Sequence, residues 1–322
     1  MRRFFLVVFI AAMLWCGAIW FGRSVLATTG IDAAGQCIGD ANRDGAVTVD
    51  EVYGAINNAL DDCSLMPITL QFSGNVGEQT FTCGSIYHGV GTTGADIVPS
   101  DFRFYVHNVR LIRDDGVEVS VLLDQDGIWQ YQNVALLDFE DKTQPCNNCT
   151  KQMNATVRGK IAPGTYNGVR FTLGVPFRLN HADQSVAPPP LNLTGLFWSW
   201  QDGYKFIRID TAFDNLRVHV GSTGCYYVRP NVIGGCAHPN RGEIYLPAFN
   251  PANDTIVADL AVLLSDSDIN SNQPDTPPGC MADPNDSDCD PIMRNLGVDF
   301  ANGLPAAGPQ KFFRVVSPTP VP

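Results

Sequence analysis

Short runs of alternating apolar and polar residues fill the chain from position 68 to position 316. The runs are rich in Val, Ile, Phe, Thr and Tyr and stop at Gly, Pro, Asn or Asp, as β-strands do. Residues 117–123 alternate in this way, and the Asp-Asp-Gly at 114–116 predicts a hairpin turn before them. The predicted strands are 68–73, 102–112, 117–123, 129–139, 155–161, 168–175, 204–210, 216–220, 242–246 and 256–264.

This spacing of strands predicts a mainly β fold, a β-sandwich with long connecting loops. Short helical pieces are predicted at 191–199 and 258–265. The Pro-rich segment 181–203 is expected to carry function, because loops do so more often than strands. The predicted domains are a signal peptide at 1–27, a small calcium-loop and helix module at 28–66, the β-sandwich at 67–316 and a tail at 317–322.

The N-terminus predicts export. Arg2 and Arg3 precede an apolar run over 4–21, and small residues near 25–27 offer a cleavage point. This is the pattern of a secretory signal peptide, with an uncleaved membrane anchor as the alternative. The mature chain is therefore expected in the periplasm or secreted, and at a membrane only if the signal stays uncleaved.

Charge excludes one class of partner. The formal net charge is −12, and it becomes −15 without the first 27 residues, which carry three arginines and no acid. So acidic a chain is repelled by phosphates, which excludes nucleic acid binding.

Nine cysteines remain after the signal peptide, and in an exported chain they predict disulfides. Cys146 and Cys149 form a CxxC, but Thr150 follows where covalent haem attachment needs a histidine. The expected pairs are Cys37–Cys63, Cys83–Cys146, Cys225–Cys236 and Cys280–Cys289, with Cys149 left over.

Residues 40–51 match the loop of an EF-hand. Oxygen-bearing residues occupy the ligand positions, Gly45 stands where the loop turns sharply, and 52–60 repeat apolar residues at helical spacing. One loop and one helix are similar to half of a dockerin repeat; an Asp/Asn-rich turn without metal is the alternative. The predicted calcium ligands are Asp40, Asn42, Asp44, the Ala46 carbonyl, Thr48 and Glu51.

Catalytic motifs are missing from the sequence. It contains no HExxH, no GxSxG, no P-loop and no Rossmann glycine triplet. The chain is therefore expected not to be an enzyme.

Several long segments of the β body come in a recognisable order. They are Asp101–Leu111, Asp126–Phe139, Gly168–Phe177, Leu179–His181, Pro190–Phe206, His219–Cys225, Pro239–Arg241, Pro277–Met281 and Phe312–Arg314. Together they resemble the MbnP family, the copper-binding proteins of the metallo-mystery pair system with a four-Cys motif. The resemblance spans residues 68–316 and leaves 28–66 outside.

The resemblance implies an exported copper-binding β-sandwich that holds Cu(I). It also implies a partner, a dihaem c-type, peroxidase-like protein of the MbnH type, which oxidises one tryptophan to kynurenine. That residue and histidines would bind the metal. Trp129 is preferred because it stands alone in a turn that a partner could reach. The copper candidates that the resemblance implies are His107, His181, His219, Trp129, Trp198 and Trp200.

The residues themselves agree with this interpretation. Imidazole suits copper, and an exported chain with disulfides favours histidine over free thiolate as a ligand. Strand alternation places His107 on one face with Tyr105, Val109 and Leu111, and His219 on the polar side of its strand. For each histidine and tryptophan, ordinary packing is the alternative.

Two further functions stay open at this point. The first is an extracellular, calcium-dependent structural or adhesive β-module without copper. The second is a redox enzyme that uses the CxxC. Metal analysis and thiol titration separate them from a copper-binding protein.

Overall fold

The predicted alternation produces strands throughout the computed structural model, which describes residues 39–40, 46–60, 65–144, 151–212 and 216–318. The predicted signal peptide at 1–27 lies outside these residues. The strands are β1 Met66–Val76, β2 Gln79–Thr80, β3 Tyr87–Val90, β4 Ala95–Ile97, β5 Pro99–Arg113, β6 Glu118–Ser120, β7 Leu122–Leu123, β8 Gln130–Tyr131, β9 Val134–Asp138, β10 Thr156–Ile161, β11 Tyr166–Leu173, β12 Phe197–Ser199, β13 Gly203–Thr211, β14 Arg217–Gly221, β15 Thr223–Arg229, β16 Val232–His238, β17 Glu243–Pro247, β18 Thr255–Asp259, β19 Gly279–Cys280 and β20 Phe313–Val316.

Helices are few and short in the described part of the chain. None of them is long and apolar enough to cross a membrane. They are α1 Val49–Leu60, α2 Phe177–Asn180, α3 Leu260–Leu263 and α4 Cys289–Asn295, with 3-10 turns at Gln184–Val186 and Thr194–Leu196.

Two large sheets contain most of the strands. The first has the order β20-β18-β1-β10-β7, with β2 beside β1. The second has the order β17-β11-β5-β13-β14-β19, with β6 and β9 also on β5, β8 on β9 and β12 on β13. The long strand β5 is its centre, since the first half of β5 pairs with β13 and the second half with β11. The hairpins β3-β4 and β15-β16 stand apart from both sheets.

The main core lies between the two sheets. Its buried members come from both, and aromatic rings dominate the centre. Phe104 of β5 contacts Phe72 of β1 and Phe313 of β20 edge-on, at centroid distances of 6.3 and 5.4 Å. Such edge-to-face pairs add to the free energy of burial. The predicted β-sandwich is therefore confirmed.

A second, smaller core covers the other face of the β5 sheet. Tyr105 on β5 and Tyr204 on β13 point away from the main core and pack under the segment 174–202. Tyr105 Oη donates to the Pro190 carbonyl (3.0 Å) and Tyr204 Oη to the Leu191 carbonyl (2.6 Å). The Pro-rich segment is thus fastened to the sheet that it covers.

Each of the ten predicted strand segments contains a strand, and the hairpin turn at 114–116 is confirmed. The prediction for 256–264 ran too far, because Asp259 caps a helix that begins at Leu260. The prediction for 191–199 was wrong as a helix, since it holds a 3-10 turn followed by β12. The β15-β16 hairpin was missed, because most of its residues are at least partly exposed and show no alternation.

Two predicted disulfides are confirmed, Cys225–Cys236 and Cys280–Cys289. The predicted bond from Cys83 is wrong, because Cys83 is a buried free thiol whose Sγ lies 3.6 Å from the Ser100 carbonyl. Four other cysteines lie outside the described residues: the predicted partner Cys146, the left-over Cys149, and Cys37 and Cys63 of the remaining predicted pair.

The described part of the calcium module comprises residues 39–40, 46–60 and 65–66, which include α1. Thr48 N donates to Glu51 Oε2 (2.8 Å), and Glu51 N donates to Thr48 Oγ1 (3.4 Å). These reciprocal bonds form a capping box. Asp40 is also buried, whereas Asn42 and Asp44 lie outside the described residues. The calcium site therefore stays a prediction.

Candidate metal centre

A bulge in β5 decides where His107 points. Asn108 has a positive φ of 53°, which breaks the alternation of the strand. Before it, Phe104 and Val106 face the main core; after it, Val109 does. The prediction that His107 shares a face with Val109 and Leu111 was therefore wrong, because the extra residue reverses the alternation. His107 instead lies on the outer face, with Tyr105.

One hydrogen bond fixes the tautomer of His107. Its Nδ1 lies 2.8 Å from the Gly174 carbonyl, which can only accept, so Nδ1 carries the proton. Burial, with the Arg241 guanidinium second, lowers the pKa of His107 to about 3. The ring is therefore neutral at physiological pH, and Nε2 keeps its lone pair. A histidine that donates one N–H to a backbone carbonyl has the arrangement usual for metal ligands.

His181 follows α2 at the start of the Pro-rich segment. Its ring contacts the Phe177 ring in a tilted arrangement with centroids 4.7 Å apart, and its Nε2 lies 3.2 Å from Asn180 Nδ2 and 3.5 Å from Cys236 Sγ. Burial, again with Arg241 second, lowers the pKa of His181 to about 4. Nδ1 is buried and has no hydrogen-bond partner among the described residues. Because Asn180 Nδ2 can only donate, Nε2 accepts this hydrogen bond and Nδ1 carries the proton of the neutral ring.

Arg241 is the shared neighbour of these two histidines. Its Nε donates to the Val175 carbonyl (2.7 Å), and its guanidinium lies 4.9 Å from the Phe206 ring centroid. Burial lowers the pKa of Arg241 to about 10, which leaves it charged at neutral pH. A fixed positive charge beside two imidazoles keeps both of them unprotonated. Arg241 lies in one of the motifs quoted above, but no role was predicted for it. Neither its residue type nor its position in the sequence indicates that it lies beside two histidines.

His219 lies on the outer face of the same sheet, on β14 opposite Arg208 of β13. Its Nε2 is 2.6 Å from Asp210 Oδ1. Although burial alone would raise the pKa of Asp210, the hydrogen bond from His219 and the Arg208 charge hold that pKa well below its usual range. The ionised carboxylate only accepts, so Nε2 carries the proton. Nδ1 is then a buried lone pair without a partner among the described residues.

His107 and His219 thus lie on the outer face of the sheet and His181 in the segment 174–202 over that face, and no hydrogen bond among the described residues joins the three. His107 and His181 both lie near Arg241, whereas His219 is tied to Asp210. In the described ranges, two groups of three His, Cys, Asp or Glu side chains have ligand atoms within 4.8 Å of one another. One holds His181 with Cys225 and Cys236, whose sulfurs are already joined as a disulfide. Neither group contains His107 or His219.

The three tryptophans have different surroundings. Trp129 is half-buried against the second core, and its backbone N–H donates to Asp126 Oδ1 at 2.7 Å. The ring of Trp198 lies against Gly221 at the end of β14, 2.8 Å from where a Cβ would stand. Trp200 is 53% exposed, and its backbone lies beside His181. Trp200, rather than Trp129, is therefore both exposed and close to a candidate histidine.

Comparisons with known proteins identify the family of the β body. A family model for MbnP matches residues 66–282. The solved structure of MbnP from Methylosinus trichosporium is similar over 80% of this chain and 100% of its own, with a TM-score of 0.70 and 28% sequence identity. No curated protein matches the chain.

Proposed function

The chain belongs to the MbnP family, an accessory and non-catalytic family associated with methanobactin, and from this premise we propose that it is an exported copper-binding protein. It would hold copper for sequestration or delivery in the periplasm or outside the cell. The family also supports the expectation that the chain is not an enzyme.

The observation that carries this proposal is the state of the imidazoles. Burial lowers the pKa of His107, His181 and His219, and the lone pairs of His107 Nε2 and His219 Nδ1 are not used by a described residue. Burying such nitrogens without a partner costs free energy that a bound metal would offset. Neutral imidazole is a good ligand for copper. The residues therefore fit the metal.

His107 and His181 are the pair that we expect to hold the metal first. Burial, with their common neighbour Arg241 second, lowers the pKa of both rings, so neither has to lose a proton before binding. Bound copper would be held by these histidine nitrogens in a low-coordinate site, which suits Cu(I). His219 is the third candidate.

A tryptophan could join this site only after oxidation. The indole nitrogen has its electron pair in the ring π-system, whereas kynurenine carries an aryl amine that can donate. We propose that a dihaem, c-type, peroxidase-like partner of the MbnH type makes this change. Trp200 is the first choice because it is exposed to such a partner and its backbone lies beside His181; Trp129 and Trp198 are the other candidates.

Copper titration of the full chain tests the histidines. The wild type should bind copper with a stoichiometry that metal analysis detects, and His107→Ala or His181→Ala should weaken binding by at least about tenfold. His88→Ala is the matched control, because His88 is exposed and pairs with Asp96 at 2.8 Å. No copper uptake by the wild type would favour the structural or adhesive β-module instead.

Peptide mass mapping tests the tryptophan. Protein made together with the partner should contain one tryptophan that has gained one oxygen and lost one carbon. Protein made alone should keep its indoles and bind copper more weakly. Equal copper binding with intact indoles in both samples would refute the kynurenine but leave the histidine site standing.

A further inference from the structure

A second cluster of ligand atoms lies far along the sequence from the histidines, where β2 leads into β3 and where β9 ends. Cys83, Glu140 and Asp141 each offer one atom, and the three atoms lie within 4.8 Å of one another. Cys83 is held against the start of β5, since the neighbouring Gly84 N donates to the Pro99 carbonyl (2.8 Å). This hydrogen bond fastens the connection that carries Cys83 to the sheet, and Glu140 and Asp141 follow directly after β9.

Glu140 has a buried carboxylate whose hydrogen-bonding capacity is only partly used. It is fully buried, and its Oε1 accepts from the Lys142 backbone N–H. Its Oε2 is also buried and finds no hydrogen-bond donor in the described parts of the chain. The nearby Asp138 repeats this pattern: Oδ1 accepts from Glu140 N (2.9 Å), while Oδ2 has no described donor. Buried carboxylate oxygens without donors are costly, which makes them unusual unless something else binds them.

The arginines nearby are already engaged. Arg103 makes a bidentate pair with Asp101, at 2.8 and 2.5 Å, and Arg208 bridges Asp101 and Asp210. Burial raises the pKa of Asp138 to about 8, raises that of Glu140, and raises that of the Cys83 thiol to about 12. The nearby Arg103 charge opposes the shifts of Asp138 and Glu140 but does not cancel them.

We propose that Cys83, Glu140 and Asp141 form a binding site for a divalent cation of the zinc type. A thiolate with two carboxylates suits Zn²⁺, whereas Ca²⁺ and Mg²⁺ prefer oxygen ligands alone. Zn–S and Zn–O distances of about 2.3 and 2.1 Å place ligand atoms roughly 3.5 Å apart, so a small contraction of the cluster suffices. On binding, the Cys83 S–H bond is replaced by a metal–sulfur bond and the proton leaves to solvent; no oxidation or reduction occurs.

The site has an entry path and differs from the histidine site. Asp141 is half-buried, and its Oδ1 is held by Thr143 N (3.0 Å), so the cluster opens to solvent at this residue. No histidine belongs to the cluster, and its sulfur donor makes it spectroscopically distinct. The inference does not depend on the proposed copper function.

Cobalt(II) is the probe, added to the full, metal-free chain. We expect one Co²⁺ to give a thiolate-to-cobalt absorption band in the near ultraviolet, and Zn²⁺ to displace it. Cys83→Ser should remove the band, and Glu140→Gln should weaken Co²⁺ binding by at least about tenfold. Glu78→Gln is the matched control, because the Glu78 side chain is 98% exposed. His107→Ala should keep the band, which separates this site from the proposed copper site.

Proton release provides a second measurement. Because Co²⁺ replaces the proton of the Cys83 thiol, its uptake should release at least one proton in weakly buffered solution, and Cys83→Ser should release fewer. Circular dichroism and the thermal unfolding midpoint establish that each variant is folded. A wild type without the band at millimolar Co²⁺, or a band that survives in folded Cys83→Ser, would overturn the proposal.

Discussion

Single hydrogen bonds decide the chemistry of the candidate histidines. The Gly174 carbonyl forces the proton of His107 onto Nδ1, and the Asp210 carboxylate forces that of His219 onto Nε2. The two rings therefore present opposite nitrogens as acceptors. Residue type alone predicts a histidine ligand, but the choice of nitrogen depends on the partner of the other one.

The buried His107 should make the stability of the metal-free protein depend on pH. Its pKa falls from 6.5 to about 3 on folding, so the unfolded chain binds one more proton between these values. The free energy of unfolding therefore decreases as pH falls from 6.5 towards 3, and this residue contributes about 1.4 kcal/mol per pH unit to the decrease.

Urea unfolding at about pH 7 and about pH 4.5 measures this contribution. Other groups titrate in the same range, so the comparison is between the wild type and His107→Gln, whose pH dependence should be smaller by about one proton. His88→Gln should behave like the wild type, because His88 is exposed. Equal slopes for the wild type and His107→Gln would contradict the buried, neutral His107.

Among the elements, the meeting point of β5 and β11 shapes the histidine site. Gly174 follows β11, has a φ of 114°, and donates its N–H to the Tyr105 carbonyl at 2.7 Å. A side chain there would meet the Phe206 ring at 2.7 Å. Glycine is therefore required both by the backbone conformation and by the close ring.

Gly174→Ala should destabilise the protein by about 1–3 kcal/mol more than Gly89→Ala. Both positions have positive φ, but nothing lies within 4 Å of a Cβ at Gly89, so the control isolates the clash with Phe206. The midpoints of urea unfolding compare the two variants. Similar midpoints would show that the Phe206 ring moves aside without cost.

The capping box of α1 connects that helix with the predicted calcium site. Glu51 caps the helix through Thr48 and also occupies the last ligand position of the loop. We predict one Ca²⁺ bound with a Kd of about 10⁻⁴ to 10⁻³ M, as in extracellular modules. Calorimetry on the full chain should detect this heat, and Glu51→Gln should abolish it.

Asp50→Asn is the control for that measurement, because Asp50 is adjacent but exposed and outside the ligand pattern. It should leave calcium binding nearly unchanged. If the wild type gives no heat at millimolar Ca²⁺, residues 40–51 are an ordinary turn and a capped helix.

For the molecule as a whole, the sheet centred on β5 has two different faces. One face packs Phe104 and its neighbours against the sheet that contains β1, and the other carries the histidines and the buried charges. The segment 174–202 closes over part of this second face and brings His181 towards it. Because this segment excludes water, each buried polar group on that face either hydrogen-bonds to another protein group or keeps an unused lone pair.

The sequence by itself determined the β class, the positions of ten strand segments and two of the disulfides. Alternation with period two depends on local chemistry, and cysteines nine or eleven residues apart meet as soon as a short turn or hairpin forms. The resemblance of motifs was also sufficient to indicate the family, which the comparisons confirm.

Only the tertiary structure decided the surroundings of the chemical groups. The bulge at Asn108 reverses the face of His107, Arg241 reaches two histidines from a distant segment, and Cys83 meets Glu140 across more than fifty residues instead of forming a disulfide. None of these contacts has a local signal, because each depends on how strands far apart in sequence are paired. Packing between distant segments sets which nitrogens and oxygens lose water, and therefore which are available to a metal.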